Sequence, residues 1–280
     1  MLVKTDLKEK HLIFVGAVLF LLVFLGYGQI ILEMVEQWSI DPDYSHGFII
    51  PILSGYLIWR KKDDLGLSAI DPELRGLPVL VLGLLLLMAG KAGAGNFVMR
   101  FSLLVVLLGL VMFLLGANIT RSLLFPISYL VFMIPLPSVL YSDFTFRLKL
   151  LTSVFSTRIL SLMGIDAFRE GNIIHINQTS LQVIDACSGL RSLISLLALA
   201  VLFAYFTQKS MWKRLSLVLL TIPIAIFSNS CRLTATAILV DHFGPKATEG
   251  LFHIFTGMIM FAIALTLLVL CGFVIKRIRQ

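Results

Sequence analysis

The sequence predicts an all-α polytopic membrane protein with about eight transmembrane helices, a short extracytoplasmic β-hairpin and an interfacial amphipathic helix. Of its 280 residues, 58% are hydrophobic and only 14% are charged, whereas a soluble domain carries about 25% charged residues. The apolar residues also come in runs of about 20, which is the length that crosses the hydrocarbon core as a helix. We therefore expect one integral-membrane domain over residues 1–280.

Hydropathy places the helices along the chain. The first apolar run is too long for the core of a signal peptide and lacks a small-residue cleavage site, so it is interpreted as a retained span. The predicted spans are 12–32, 46–60, 77–94, 99–117, 121–140, 188–207, 213–231 and 251–275. The second of these is short, and Pro135 and Pro137 are expected to break the end of the fifth.

The distribution of charge orients these spans. Lys and Arg cluster in alternate loops, at 4–10, 60–75 and 209–214 and in the tail after 275, while loop 33–45 carries acidic residues and no Lys or Arg. This bias predicts a multi-pass protein of the inner (cytoplasmic) membrane with both termini in the cytoplasm. The net charge of +7 is explained by these loops, so we expect membrane lipid rather than nucleic acid as a partner.

The long outer segment 141–187 has two parts. Residues 144–163 alternate apolar and basic side chains, which favours an amphipathic helix at the membrane surface. The runs "NIIHI" and "SLQVI" are rich in β-branched residues and flank Asn177-Gln178, which predicts a short hairpin. This hairpin leads directly into "DACSGLRS".

Cys187 is the sharpest candidate for chemistry. It lies where a β-like run meets the start of the sixth span, and a helix N-terminus lowers the pKa of a thiol. Arg191, one turn later, adds positive charge, so a thiolate nucleophile is favoured there. The alternative is that Cys187 is only a small buried apolar residue, as expected for Cys271. Three cysteines without zinc-like spacing predict no disulfide framework, no metal and no cofactor.

Two further residues are expected at the same extracytoplasmic membrane boundary as Cys187. Arg232 follows "SNSC" at the outer end of the seventh span, where it can bind a carboxylate or an oxyanion; the alternative is a topology anchor. His253 begins the eighth span and can take a proton from a thiol; the alternative is a helix-end residue bonded to a carbonyl. The candidates for supporting or substrate-binding roles are Tyr44, His46, Asp185, Ser188, Arg191 and Asn229.

Several motifs together resemble a known family. The strings "DPDYSHGFIIP", "FMIPLP", "REGNIIHI", "DACSGLRSL", "SNSCRLT" and "HIFTGMIMF" occur in the order found in exosortases and archaeosortases. The resemblance runs from about Trp38 to Phe261. It implies a Cys/Arg/His active site, formed by Cys187, Arg232 and His253, on the outer face of the cytoplasmic membrane.

The resemblance also implies an activity. Members of the family are membrane-embedded cysteine transpeptidases that cleave C-terminal sorting signals of exported proteins. Such a signal consists of a short motif such as Pro-Glu-Pro, a transmembrane helix and a basic tail. The expected partners are these substrate proteins and an unknown acyl acceptor.

Other functional classes stay open at the level of the sequence. A transporter would also explain many spans with polar residues, although the inner halves of the spans are nearly all apolar. A membrane acyltransferase could use the same thiol on a lipid. A scaffold protein without catalysis would leave Cys187 unreactive.

Overall fold

The chain folds into long helices and one small sheet. The computed structural model describes residues 2–62, 70–176, 179–183, 189–244 and 251–277. The helices are α1 (Leu2–Ile40), α2 (Ile49–Arg60), α3 (Gly76–Ala89), α4 (Asn96–Leu115), α5 (Ala117–Tyr129), α6 (Ser138–Leu162), α7 (Leu190–Thr207), α8 (Met211–Phe243) and α9 (Leu251–Arg277). The strands are β1 (Ala167–Glu170), β2 (Ile173–Ile176) and β3 (Thr179–Gln182). Shorter helical turns lie at Pro42–Phe48, Gly90–Ala94 and Leu130–Met133.

Backbone contacts divide the chain into two units, Met1–Pro137 and Ser138–Gln280. In the first, buried hydrogen bonds tie the helices together. The hydroxyls of Tyr27 on α1 and Ser102 on α4 lie 2.8 Å apart, and Trp38 donates its indole N–H to the carbonyl of Met133. In an apolar solvent such bonds hold helices together because lipid gives little hydrophobic drive for their association.

Close packing of small residues joins α3 to α4. A Cβ added at Gly83 would lie 2.6 Å from Val106 Cγ2, and one added at Gly109 would collide with the backbone of Leu80. Glycines at such positions let two helix backbones approach, as small residues do in membrane bundles. The α3–α4 pair is therefore a tightly packed antiparallel hairpin.

The second unit carries the sheet, and its hairpin confirms the prediction. Strands β2 and β3 are antiparallel with Ile176 opposite Thr179, which leaves the predicted turn residues 177–178, outside the described residues, between them. The strand β1, which pairs antiparallel with β2, was not predicted from the sequence. Alternate residues of β2, Ile174 and Ile176, are buried in an apolar cluster with side chains of α6 and α8.

The helix α6 begins earlier than predicted, at Ser138 rather than at 144. Its buried face is rich in hydroxyls, while large apolar side chains such as Phe144 and Phe155 are exposed. The buried residues of α6 are Thr145, Thr152, Ser153, Ser156 and Leu160. This pattern fits a helix with lipid on one side and a polar packing surface on the other; its interfacial position stays a prediction.

The predicted count of eight spans is not confirmed. Among the described residues, five helices are long and apolar enough to cross a membrane, or six if 117–133 and 138–162 form one broken span. The segment 46–60 falls short because α2 has only 12 residues, about 18 Å at the helical rise. The predicted span 121–140 was also too long. The helical turn ends at Met133, and the backbone is extended at Ile134, just before the two prolines.

The α3–α4 contact makes a testable prediction. The substitution Gly109→Ala is expected to lower stability by about 1–3 kcal/mol, because the new methyl group must push the two backbones apart. The matched control is Gly28→Ala on α1, where an added Cβ meets no atom within 4 Å. Thermal unfolding of the detergent-solubilised protein measures the difference, and equal midpoints for the two variants would contradict the close helix contact.

Candidate functional site

A run of buried polar side chains lies in the second half of α8. Ser228, Asn229 and Arg232 have 5%, 6% and 9% of their surface exposed. The hydroxyl of Ser228 donates to the carbonyl of Met260 on α9 at 2.6 Å, and the amide of Asn229 donates to Thr152 Oγ1 on α6 at 3.2 Å. This polar segment of α8 therefore links α8 to both neighbouring helices.

The predicted end of the seventh span was wrong. We expected a helix that stops at 231 and leaves Arg232 at its outer end, but α8 runs for 33 residues to Phe243, so Arg232 lies well inside it. The hydroxyls beyond Arg232 are satisfied within the helix: Thr236 Oγ1 donates to the carbonyl of Arg232 at 2.9 Å. Asp241 and His242 lie in the last turns of α8.

The N-terminus of α7 packs directly on this segment. Gly189 precedes α7 with a positive φ of 83°, a conformation that disfavours residues with a side chain. A Cβ added there would lie 2.7 Å from Asn229 Cγ. Only glycine fits this position, and the contact fixes the start of α7 beside Asn229.

The third helix at the site is α9. A Cβ added at Gly257 would lie 3.7 Å from Arg232 Nη1, so the guanidinium lies against the second turn of α9. Position 253 is one helical turn before Gly257 on the same face of the helix. The side chain of His253 lies outside the described residues, so its predicted approach to Arg232 stays a prediction.

A small cavity lies between α7, α8 and α9. Its volume is ≈ 10 Å³ and its polar lining comes from Ser192, Ser228, Asn229 and Arg232. This is about the space that one water molecule needs. The cavity is therefore too small to hold a peptide or a lipid chain.

Several predicted site residues cannot be located. Asp185, Cys187 and Ser188 lie outside the described residues. Arg191 lies in the first turn of α7 on its exposed side. The structure thus brings together Arg232, Asn229 and the backbone at 189 and 257, and the thiol remains a prediction from the sequence.

The predicted residues Tyr44 and His46 lie in the first unit, in the turn Pro42–Phe48. Tyr44 is buried, and this burial, together with the negative charge of Asp41, raises the pKa of its phenol to about 12. The ring of His46 meets the carbonyl of Phe132 through Nε2 at 3.2 Å. Both rings therefore have structural partners within their own unit.

The sequence analysis missed two residues. Arg100 on α4 is only 6% exposed and donates to Gln37 Oε1 at 2.7 Å. Its position as a charged residue inside the apolar run 99–117 could have identified it from the sequence. Thr152 accepts a hydrogen bond from Asn229, and no sequence pattern could have identified it, because this contact depends on how α6 packs against α8.

The remaining cysteines and acids add no metal centre. Within the part of the chain that the structure describes, no three His, Cys, Asp or Glu side chains are grouped to hold a metal ion. Cys271 packs against the apolar cluster of α7, α8 and α9, which confirms its predicted role as a small core residue.

The fold and the site define a polytopic helical membrane protein with a buried arginine at the junction of three helices. Comparison with known families gives a family model, Transmembrane exosortase, that matches residues 38–270. The chain therefore belongs to the transmembrane exosortase family, which confirms the resemblance noted in the sequence. No curated protein and no solved structure matches the chain.

The two glycines at the site should respond differently to the same change. Gly189→Ala is expected to lower the thermal midpoint and the folded yield, because it adds both a clash with Asn229 and a strain of about 1–2 kcal/mol from the positive φ. Gly257→Ala makes only an ordinary contact with Arg232, so it is expected to shift stability by less than about 0.5 kcal/mol. Equal effects in a thermal-unfolding assay would rule out this arrangement.

Proposed function

We propose that this exosortase is a cysteine transpeptidase that cleaves the C-terminal sorting signals of exported proteins and transfers them to an acceptor. Cys187 is the nucleophile, Arg232 stabilises the oxyanion, and His253 is the general base and acid. The substrate is a protein whose signal consists of a short motif, a transmembrane helix and a basic tail.

The observation that supports this proposal is the meeting of α7, α8 and α9 around Arg232. Gly189 contacts the Asn229 side chain, one turn from Arg232. Cys187 precedes Gly189 by two residues, and chain connectivity keeps their Cα atoms within about 7 Å. The guanidinium contacts Gly257 on α9, about 6 Å along the helix from position 253. The backbone segments that carry Cys187, Arg232 and His253 are therefore close neighbours.

The first half of the proposed reaction makes a thioester. His253 takes the proton of the Cys187 thiol, and the thiolate attacks the carbonyl carbon of the scissile peptide bond. The C–N bond then breaks, and the leaving amine receives the proton that His253 carries. The acyl group remains on the sulfur of Cys187.

Arg232 acts on the charge that develops during attack. A guanidinium presents paired N–H donors on a planar fork, and donors aimed at a developing oxyanion are worth most where water is scarce. Arg232 is buried beside a cavity of ≈ 10 Å³, so few water molecules compete for it. Asn229 is a positioning residue, because it holds the start of α7 next to Arg232.

The second half transfers the acyl group. His253 removes a proton from the acceptor, the acceptor attacks the thioester carbonyl, and the Cys187 thiolate is released. Shielding of the thioester by the membrane favours transfer over hydrolysis. Asp185, Ser188 and Arg191 are proposed as residues that orient the substrate or the base.

We also propose the topology in which this reaction occurs. Eight spans, with 46–60 as the second, put both termini in the cytoplasm of a cell with an inner membrane. The alternating loop charges support this orientation. The site then lies on the extracytoplasmic side, where exported substrates arrive.

Replacing the nucleophile tests the proposal directly. In cells that co-express a tagged sorting-signal protein, Cys187→Ala is expected to reduce processing by at least about 10³-fold, because no other group can form the acyl-enzyme. The matched control is Cys271→Ala, which removes a core thiol far from the reaction and should process normally. Immunoblotting of the full-length and cleaved tag measures the ratio.

Normal processing by Cys187→Ala would eliminate the nucleophile assignment. Competition separates the remaining classes: a sorting-signal peptide should block alkylation of Cys187 by iodoacetamide. Protection by a lipid instead would indicate a lipid acyltransferase. An unreactive Cys187 would indicate a scaffold or a transporter.

Arg232→Lys tests the oxyanion role. Lysine keeps the positive charge but loses the planar fork, so kcat/KM is expected to fall by about 10²–10³-fold while the rate of Cys187 alkylation changes little. Arg158→Lys on the exposed side of α6 makes the same chemical change away from the site and should retain activity within about twofold. Wild-type kcat/KM for Arg232→Lys would refute the role of its guanidinium.

A further inference from the structure

The sheet of the second unit has two edge strands, β1 and β3, and β3 is the one that precedes Cys187 along the chain. In an antiparallel pair, residues alternate between those that exchange hydrogen bonds with the neighbour and those that direct N–H and C=O away from it. The N–H of Val183 donates to the carbonyl of Asn172 at 2.9 Å, which fixes this alternation for β3. By the same alternation Leu181 bonds to β2, and Ser180 and Gln182 direct their backbone groups outward.

These two residues are also accessible. The side chains of Ser180 and Gln182 are exposed, and Leu181 between them packs into the apolar cluster. Among the described residues, no backbone group outside the sheet pairs with the outward N–H and C=O groups of Ser180 and Gln182. An edge of this kind is a template for another extended chain.

The edge also lies close to the proposed reaction. The cluster beneath the sheet includes Leu233 and Ala237 of α8, one and five residues beyond Arg232 in the sequence. The chain of β3 continues from Gln182 to Cys187 over five residues. A peptide paired with this edge would therefore lie beside the strand that precedes Cys187 by five residues in the sequence.

We propose that the free edge of β3 binds the substrate by strand addition, with the extended motif that precedes the substrate's transmembrane helix as its occupant. The outward N–H and C=O groups of Ser180 and Gln182 pair with the main chain of that motif. Main-chain pairing supplies affinity independently of side-chain identity. The inference rests on the proposed function, because it names how that function's substrate is held.

Proline variants separate the backbone donor from the side chain. Ser180→Pro and Gln182→Pro remove an outward N–H but no bond to β2, whereas Ser180→Ala and Gln182→Ala keep it. We expect kcat/KM for the tagged substrate to fall at least about 5-fold for each Pro variant, and the Ala variants to stay within about twofold. Ala167→Pro, at an outward position of the opposite edge on β1, is the matched control and should behave as the wild type.

The rate of Cys187 alkylation by iodoacetamide is measured in every variant. Unchanged alkylation together with lost processing in the Pro variants would support strand addition. Equal processing by the Pro and Ala variants, in a background where Cys187→Ala is inactive, would overturn strand addition and leave the proposed function intact. Normal processing by Cys187→Ala would overturn the proposed function itself.

Disulfide trapping gives a second readout that does not need an active enzyme. In a Cys187→Ala background without Cys231 and Cys271, the variant Ser180→Cys is paired with single cysteines along the substrate motif. Strand pairing predicts that cross-links form at alternate positions, because successive side chains of a strand point to opposite faces. Equal cross-linking at every position, or a 180–180 disulfide between two copies of the enzyme, would overturn the inference.

Discussion

The burial of one guanidinium governs the second unit of this protein. An arginine in the middle of a membrane helix costs roughly 2.5–3.5 kcal/mol on insertion scales, and Arg232 is buried inside a helix that continues for three more turns. The surroundings of Arg232 follow from that cost. Hydroxyl and amide side chains flank it on α8, and a glycine on α9 allows that helix to approach it.

The hydrogen bonds next to this charge join α8 to its neighbouring helices. Ser156 on α6 donates to the carbonyl of Ser230 at 3.0 Å, and Asn229 and Ser228 reach α6 and α9 in the same stretch of α8. Bonds between membrane helices contribute on average about 0.6 kcal/mol each, so several are needed to fix one geometry. These bonds cluster around Arg232. The stability of the second unit and the orientation of the candidate catalytic guanidinium therefore depend on the same contacts.

The sequence predicted which segments are helical but not where each helix ends. Apolar runs of sufficient length predicted α3, α4, α7 and α9 because hydropathy reports directly on transfer into lipid. The end of α8 was misplaced because the polar residues around Arg232 end the apolar run, whereas the helix continues to Phe243 with their hydroxyls bonded within it. The contact between Gly189 and Asn229 could not be predicted, since it depends on the packing of α7 against α8 rather than on any local pattern.

A sheet beside the helices supplies a kind of recognition that the helices lack. An α-helix uses its own N–H and C=O groups internally, so a bundle can offer an extended peptide only side chains. A protease must hold the main chain of its substrate near the nucleophile, which requires backbone groups that are not already paired. In the described part of the second unit, β3 carries such groups, and the same strand leads along the chain to Cys187. In the proposed reaction the small sheet thus complements the polar segment of α8: the helices hold the charge, and the strand holds the peptide.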